Sequence, residues 1–181
     1  MKDLLLHICC AVCLIYPLKK IQEKNFKIKG FFYNPNIHPF SEYRRRRETL
    51  ETLNFELKLE IFYPEYKVSD FFRKINFNEE KDKRCALCWR LRLENTAEFA
   101  INNGFNFFST TLLVSPYQDH TLIKKIGQEI SQAKGIEFYY EDFRNGFKQA
   151  HNEAKQKGLY CQKYCGCIYS EIERWKYSAK S

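Results

Sequence analysis

The sequence predicts an α/β fold: one domain over residues 1–181, with a mainly parallel sheet flanked by helices. Short apolar or alternating runs occur five times along the chain, and stretches with helical periodicity stand between them. That alternation builds a parallel sheet, because each return to the sheet needs a crossover, and crossovers are right-handed. Size agrees: 181 residues with a 44% hydrophobic fraction supply one core, and a chain near 150 residues already buries about two-thirds of its unfolded surface. Disulfides are not needed for stability, so the eight cysteines ask for a chemical explanation.

Residues 3–8 read as a buried strand, stopped by a cysteine turn at Cys9-Cys10. Leu14, Leu18 and Ile21 then recur at helical spacing, and the pattern ends at Asn25. Residues 27–33 alternate and are rich in aromatics, which predicts a second strand. Asn34-Pro35-Asn36 marks a turn, because proline fixes its own dihedral and restricts its predecessor. Ser41 is expected to cap a polar helix that runs to about Leu53, with Glu42 in its first turn. Residues 57–62 form a third strand ending at Pro64, followed by a short helix over 69–75 and a charged loop over 79–84. A helix from Cys88 to about Asn103 carries Leu93, Ala97, Ala100 and Ile101, and Gly104 stops it. Residues 105–110 are the fourth strand. Pro116 and Asp119 precede a helix with Leu122, Ile126 and Ile130 on one side and Gly135 at its end. Residues 136–140 are the fifth strand, Asp142 opens an irregular stretch, and Ile168, Ile172 and Trp175 mark the last helix.

Parallel sheets gather ligands beyond the carboxyl ends of their strands. Those ends here are Cys9-Cys10, Tyr33-Asn34, Thr110-Thr111 and Asp142, so the first cysteine group occupies the functional edge. Residues 4–15 are apolar, but Asp3 follows Lys2, no cleavage site follows, and Ile8 stands where a lipobox needs a small residue. No stretch approaches the ~18–20 apolar residues that span a bilayer. We read a cytoplasmic protein without a membrane partner, in which cysteines stay reduced and serve metals or catalysis. A net charge of +8 suits a polyanion such as nucleic acid. Arg44, Arg45, Arg46 and Arg47 form a block, and Lys81, Lys83, Arg84, Arg90 and Arg92 surround the middle cysteine pair.

Cys85-x-x-Cys88 lets two sulfurs converge on one metal, with Cys88 expected at a helix start that favours thiolate. Alone it reads equally as a zinc half-site, a redox dithiol or a cluster half-site. Neither Cys9-Cys10 nor Cys165-Gly166-Cys167 easily closes an unstrained disulfide. Two closed zinc sites could absorb all eight cysteines. An iron–sulfur cluster beside a second thiolate-bound metal uses the surplus more naturally.

Several stretches together carry a family resemblance. They are His7-Ile8-Cys9-Cys10-Ala11-Val12-Cys13, Tyr33-Asn34-Pro35-Asn36-Ile37-His38-Pro39, Glu42-Tyr43, and Arg84-Cys85 with Cys88 and Arg90-Leu91. Farther on stand Ser109-Thr110-Thr111-Leu112-Leu113-Val114-Ser115-Pro116-Tyr117-Gln118, and Gln162-Lys163-Tyr164-Cys165-Gly166-Cys167 with Ser170-Glu171. The chain, to about residue 174, resembles the epoxyqueuosine reductases of the QueH type. That resemblance implies a Rossmann/HUP-like sheet with a metal site at its C-terminal edge. It implies an oxidoreductase that removes the epoxide oxygen of epoxyqueuosine at the tRNA wobble position, the last step to queuosine. It implies a [4Fe-4S] cluster and an additional iron ion, held among Cys9, Cys10, Cys13, Cys85, Cys88, Cys165 and Cys167. Cys9, Cys10, Cys85 and Cys88 are named for the cluster, although the division of the seven stays open. Cys161 departs from the pattern, because arginine is expected before Gln162, and is read as a bystander. Val12 replaces a proline usual between the first cysteines.

Removing the oxygen consumes two electrons and two protons and releases water. An external electron donor is expected, and Tyr117, Asp119, His120 and Asp142 are the candidate proton donors near strand ends. The arginine block is the candidate phosphate contact for an unpaired anticodon loop. Two other readings stand beside this one. A pyrophosphatase-loop tRNA thiolation enzyme would need a Ser/Gly-rich loop where Cys9–Cys13 stands, and a zinc-stabilised RNA-binding module would need no redox metal.

Overall fold

A computed structural model describes residues 2–178 of the protein. Five strands form one parallel sheet in the order β3-β2-β1-β4-β5: β1 Lys2–His7, β2 Phe26–Phe31, β3 Ile61–Phe62, β4 Phe107–Thr110 and β5 Glu137–Phe138. β1 lies at the centre, with Leu4 opposite both Ile28 and Phe107, and His7 opposite Phe31 and Thr110. Leu4, Leu5 and Leu6 are all sealed from solvent. A strand covered on both faces has no reason to alternate, which is why this one reads as a continuous apolar run.

Among the described residues seven α-helices flank the sheet: α1 Ala11–Gln22, α2 Phe40–Leu57, α3 Val68–Ile75, α4 Lys81–Asn102, α5 His120–Lys134, α6 Phe147–Gln156 and α7 Ile168–Ser178. α1 packs with α2 and α6, while α4 packs with α3 and α5. Because the connections leave β1 toward β2 and β4 toward β5 in opposite directions, right-handed crossovers put these two groups on opposite faces. Among the described residues no helix is long and apolar enough to cross a membrane.

Several boundaries differ from the sequence reading, each for a local reason. α2 begins after Pro39 rather than under a Ser41 cap, and it continues to Leu57. The alternation at 57–59 is therefore a helix end: Lys58 adopts the left-handed conformation, and the Asn54 side chain bonds both the N–H and the carbonyl of Leu59. The charged stretch expected as a loop over 79–84 supplies the first turn of α4, where the Arg84 guanidinium folds back onto the Glu79 carbonyl. α6 stands in the stretch read as irregular. It buries only Ala150 and Ala154, too small a stripe to announce a helix.

α6 approaches α1 through Gly146, where an added Cβ would overlap the Tyr16 ring at its Cγ root. The root of a ring on a packed helix cannot move aside. Gly146→Ala should therefore destabilise the protein by roughly 1–3 kcal/mol, measured by urea unfolding, and an unchanged midpoint would show that α6 is not seated on α1.

Candidate metal centre

β1 delivers its chain end into the Cys9-Cys10 turn. Cys10 caps α1, its sulfur accepting from the Cys13 N–H at 3.3 Å. The sulfurs of Cys9, Cys10 and Cys13 lie within 4.8 Å of one another and could hold a metal ion. Thiolates on one tetrahedral ion stand roughly 3.8 Å apart, given bonds near 2.3 Å, so little movement separates this triad from a ligand set. Thr111 completes the turn: its hydroxyl accepts from the Cys9 N–H at 3.1 Å and donates to the Cys9 sulfur at 3.3 Å. Gln162 donates to Cys10 Sγ at 3.0 Å. Hydrogen bonds from Cys10 and then Cys13 hold the Cys9 thiol well below its usual pKa. Burial pushes Cys10 up, and the hydrogen bonds with Cys10 and Cys9 do the same to Cys13. The negative charge of the triad is thus favoured at Cys9.

Cys9 and Cys13 of the triad line a cavity of about 950 Å³ together with Cys85, Cys88, Cys165 and Cys167. Cys85 and Cys88 stand three apart on one face of α4, inside the helix rather than at its start. The N-terminal dipole expected to favour thiolate at Cys88 does not reach it there. Burial instead raises Cys85 to about 11 and Cys88 to about 12. Cys161 does not line the cavity, and its sulfur faces the Leu159 carbonyl.

The Cys165-Gly166-Cys167 loop is held from the other end of the chain. Arg46 donates to the carbonyls of Cys165 at 2.8 Å and Tyr164 at 3.0 Å, while its Nε binds Glu42 at 2.7 Å. The His38 N–H donates to the Gly166 carbonyl at 2.8 Å. Gly166 sits at φ +151°, and a Cβ there would press on Asn36 and Ile37 at 3.1 and 3.2 Å. Gln118 accepts from the Trp89 indole and donates to the Cys165 sulfur at 3.8 Å.

These contacts correct the arginine block. Four consecutive helical residues point around the axis, not along one face. Arg46 is 2% exposed and spent on internal partners, so it does not meet RNA. Arg44 and Arg45 are exposed, the former near Glu48 and the latter over the Tyr160 ring, and Arg47 pairs with Glu51. The proton-donor candidates also separate. Tyr117, 82% exposed, and Asp119 line the cavity, although Asp119 caps α5 at the Leu122 N–H. His120 is buried behind the rim on the Ser115 carbonyl, and Asp142 is held down to about 2 by its hydrogen bond to Arg144. Neither of the latter two is among the described lining residues.

The model of the epoxyqueuosine reductase QueH family matches residues 4–173. The chain belongs to the QueH family. It is 38% identical over 173 residues to epoxyqueuosine reductase QueH of Dehalococcoides mccartyi, covering 95% of this chain and 94% of that one. It is 36% identical to the protein of the same description from Thermotoga maritima, covering 96% and 93% of the two chains. A solved structure, a predicted subunit of tRNA methyltransferase from Methanocaldococcus jannaschii, shares the fold at TM-score 0.58 and 11% identity, covering 86% of this chain and 75% of that one.

The residues of this QueH member fit a thiolate-bound centre. Six of these thiols line one cavity with Cys10 beside them, and the buried Arg92 lies where Cys88, Cys165, Cys9 and Cys85 favour its charge. Thr111, Gln118 and Gln162 were visible only as parts of matching stretches, since nothing in their residue type announces a sulfur contact. Replacing Arg46 by methionine leaves Glu42 largely buried without its cation, which should cost roughly 3–5 kcal/mol. Arg44→Met should leave the urea midpoint in place, and equal effects of the two would contradict the different environments described for them.

Proposed function

We propose that this chain is an epoxyqueuosine reductase that acts on tRNA, removing the epoxide oxygen with two electrons and two protons to leave an alkene and water. The observation that carries this reading is the convergence of the Cys9, Cys13, Cys85, Cys88, Cys165 and Cys167 thiols on one open cavity at the C-terminal edge of a parallel sheet. The two electrons would be delivered to the epoxide by a redox group bound among these thiols. Cys85, Cys88, Cys165 and Cys167 lie within one another's electrostatic reach and would hold a [4Fe-4S] cluster. The Cys9-Cys10-Cys13 triad would hold the additional iron ion, which moves Cys9 and Cys10 from the cluster to the single metal. Cluster and iron together would supply electrons and Lewis acidity next to the substrate, with the electrons drawn from an external donor.

The chain's own residues supply the rest. The cavity volume suits a flipped nucleoside, because small-molecule pockets run roughly 300–1,000 Å³. Exposed Lys81 and Lys163 line it and are placed for loop phosphates, with Arg44 and Arg45 farther along α2. Tyr117, at the rim against the edge of Phe147, presents its Oη as proton donor. Asp142 is a poor donor, being held ionised by Arg144.

Anaerobically purified protein should be brown, contain iron and sulfide, and convert epoxyqueuosine-tRNA to queuosine-tRNA. Cys85→Ala or Cys88→Ala should lose the cluster signal and turnover together, whereas Cys13→Ala should lose the single iron and keep the cluster. Colourless, folded protein containing only zinc and inactive on this tRNA would instead support an RNA-binding module. The double variant Lys81→Glu, Lys163→Glu should bind tRNA more weakly, with the log–log salt slope reduced by about 0.7 for each lost contact to an unpaired strand. An unchanged slope would take these lysines out of the RNA path.

A further inference from the structure

We propose that Arg92 is the built-in counter-cation of the cysteine-bound redox centre and sets its reduction potential upward. The inference rests on the metal-centre reading above and goes beyond it in assigning a role to a residue that is not a ligand.

Three arginines line the cavity while buried to 2% exposure: Arg46, Arg84 and Arg92. Two of them have carboxylate partners, Arg46 on Glu42 and Arg84 on Glu173. Among the described residues Arg92 has no carboxylate within ion-pair distance. Among the same residues its one hydrogen bond runs from Nε to the Cys88 carbonyl at 3.3 Å, one turn back along α4, and its Nη2 is sealed from solvent with no hydrogen-bond partner there. A guanidinium cannot shed its proton to escape burial, and an isolated buried charge is strongly disfavoured. It lines the same cavity as Cys9, Cys85, Cys88 and Cys165. Burial opposes the charge, yet the pull of Cys88 and then Cys165, Cys9 and Cys85 outweighs that penalty. A cluster with four thiolate ligands is anionic, and each electron added makes it more so. A fixed cation beside it favours the reduced state and raises the potential.

Arg92 is placed there by sequence spacing: Cys88, Arg92 and Thr96 follow one another at i, i+4 and i+8, and the Thr96 hydroxyl donates to the Arg92 carbonyl at 2.7 Å. The side chain is thus anchored on the same helix face as a ligand, so its distance from the centre is set by helix geometry.

The test is potentiometric titration of anaerobic holoprotein with dithionite, followed by electron paramagnetic resonance, alongside iron and sulfide content. Arg92→Met and Arg92→Gln should shift the one-electron equilibrium about tenfold toward the oxidised form, a fall of about 59 mV. Arg92→Lys should stay closer to the wild type than either. If the neutral variants assemble no cluster while Arg92→Lys does, the same demand for charge is read out as cluster loss. Neutral variants with the wild-type potential, or a lysine variant as impaired as the methionine one, would overturn the inference. Wild-type protein devoid of iron and sulfide would instead overturn the metal-centre reading on which it rests.

Discussion

The Arg46 guanidinium joins two parts of the chain 119 residues apart, and the cavity exists because of that junction. Its forked donors take two successive carbonyls of the loop that carries Cys165 and Cys167, while Glu42 on the same helix neutralises it. A lysine could not serve both carbonyls and the carboxylate, since it lacks a planar fork. The His38 backbone and Gly166 tighten the same seam. Once the loop is fixed, two terminal thiols face the pair on α4 and the triad after β1, and three distant sequence segments become one site.

Charge inside that site is arranged unevenly. Carboxylates balance Arg46 and Arg84, whereas the charge of Arg92 is favoured by Cys88, Cys165, Cys9 and Cys85. A domain with net charge +8 therefore spends three of its arginines in the interior. Under the proposed function, the surface lysines near the mouth attract the RNA loop, and Arg92 alone of the three buried arginines is left to face the negative charge of the centre. The neutral His7, held down to about 4 by burial and by Arg92, adds no second cation behind Cys9.

Much of this was legible from residue types. The central strand, the cysteine turn, the Asp119 cap and the Gly135 stop all follow local rules, and all stand where those rules put them. What misled was composition without direction. Four adjacent arginines look like one basic face, but a helix turns each by about 100°, and one of the four falls on the inner side. The first turn of α4 looked like a charged loop because its anchoring partner, Glu173, is far away in sequence. α6 was illegible because its buried residues, Ala150 and Ala154, leave no hydrophobic period.

By itself, the sequence determined the sheet, its parallel sense and the arrival of Cys9, Cys10 and Cys13 at its carboxyl edge, because hydrophobic period and crossover handedness are local and chiral properties. It also carried the family resemblance in short exact stretches. Only the tertiary structure decided which thiols share a cavity and which of the buried arginines have a carboxylate partner. Those outcomes depend on contacts between residues tens to more than a hundred positions apart, where packing and desolvation, not residue type, choose the partner.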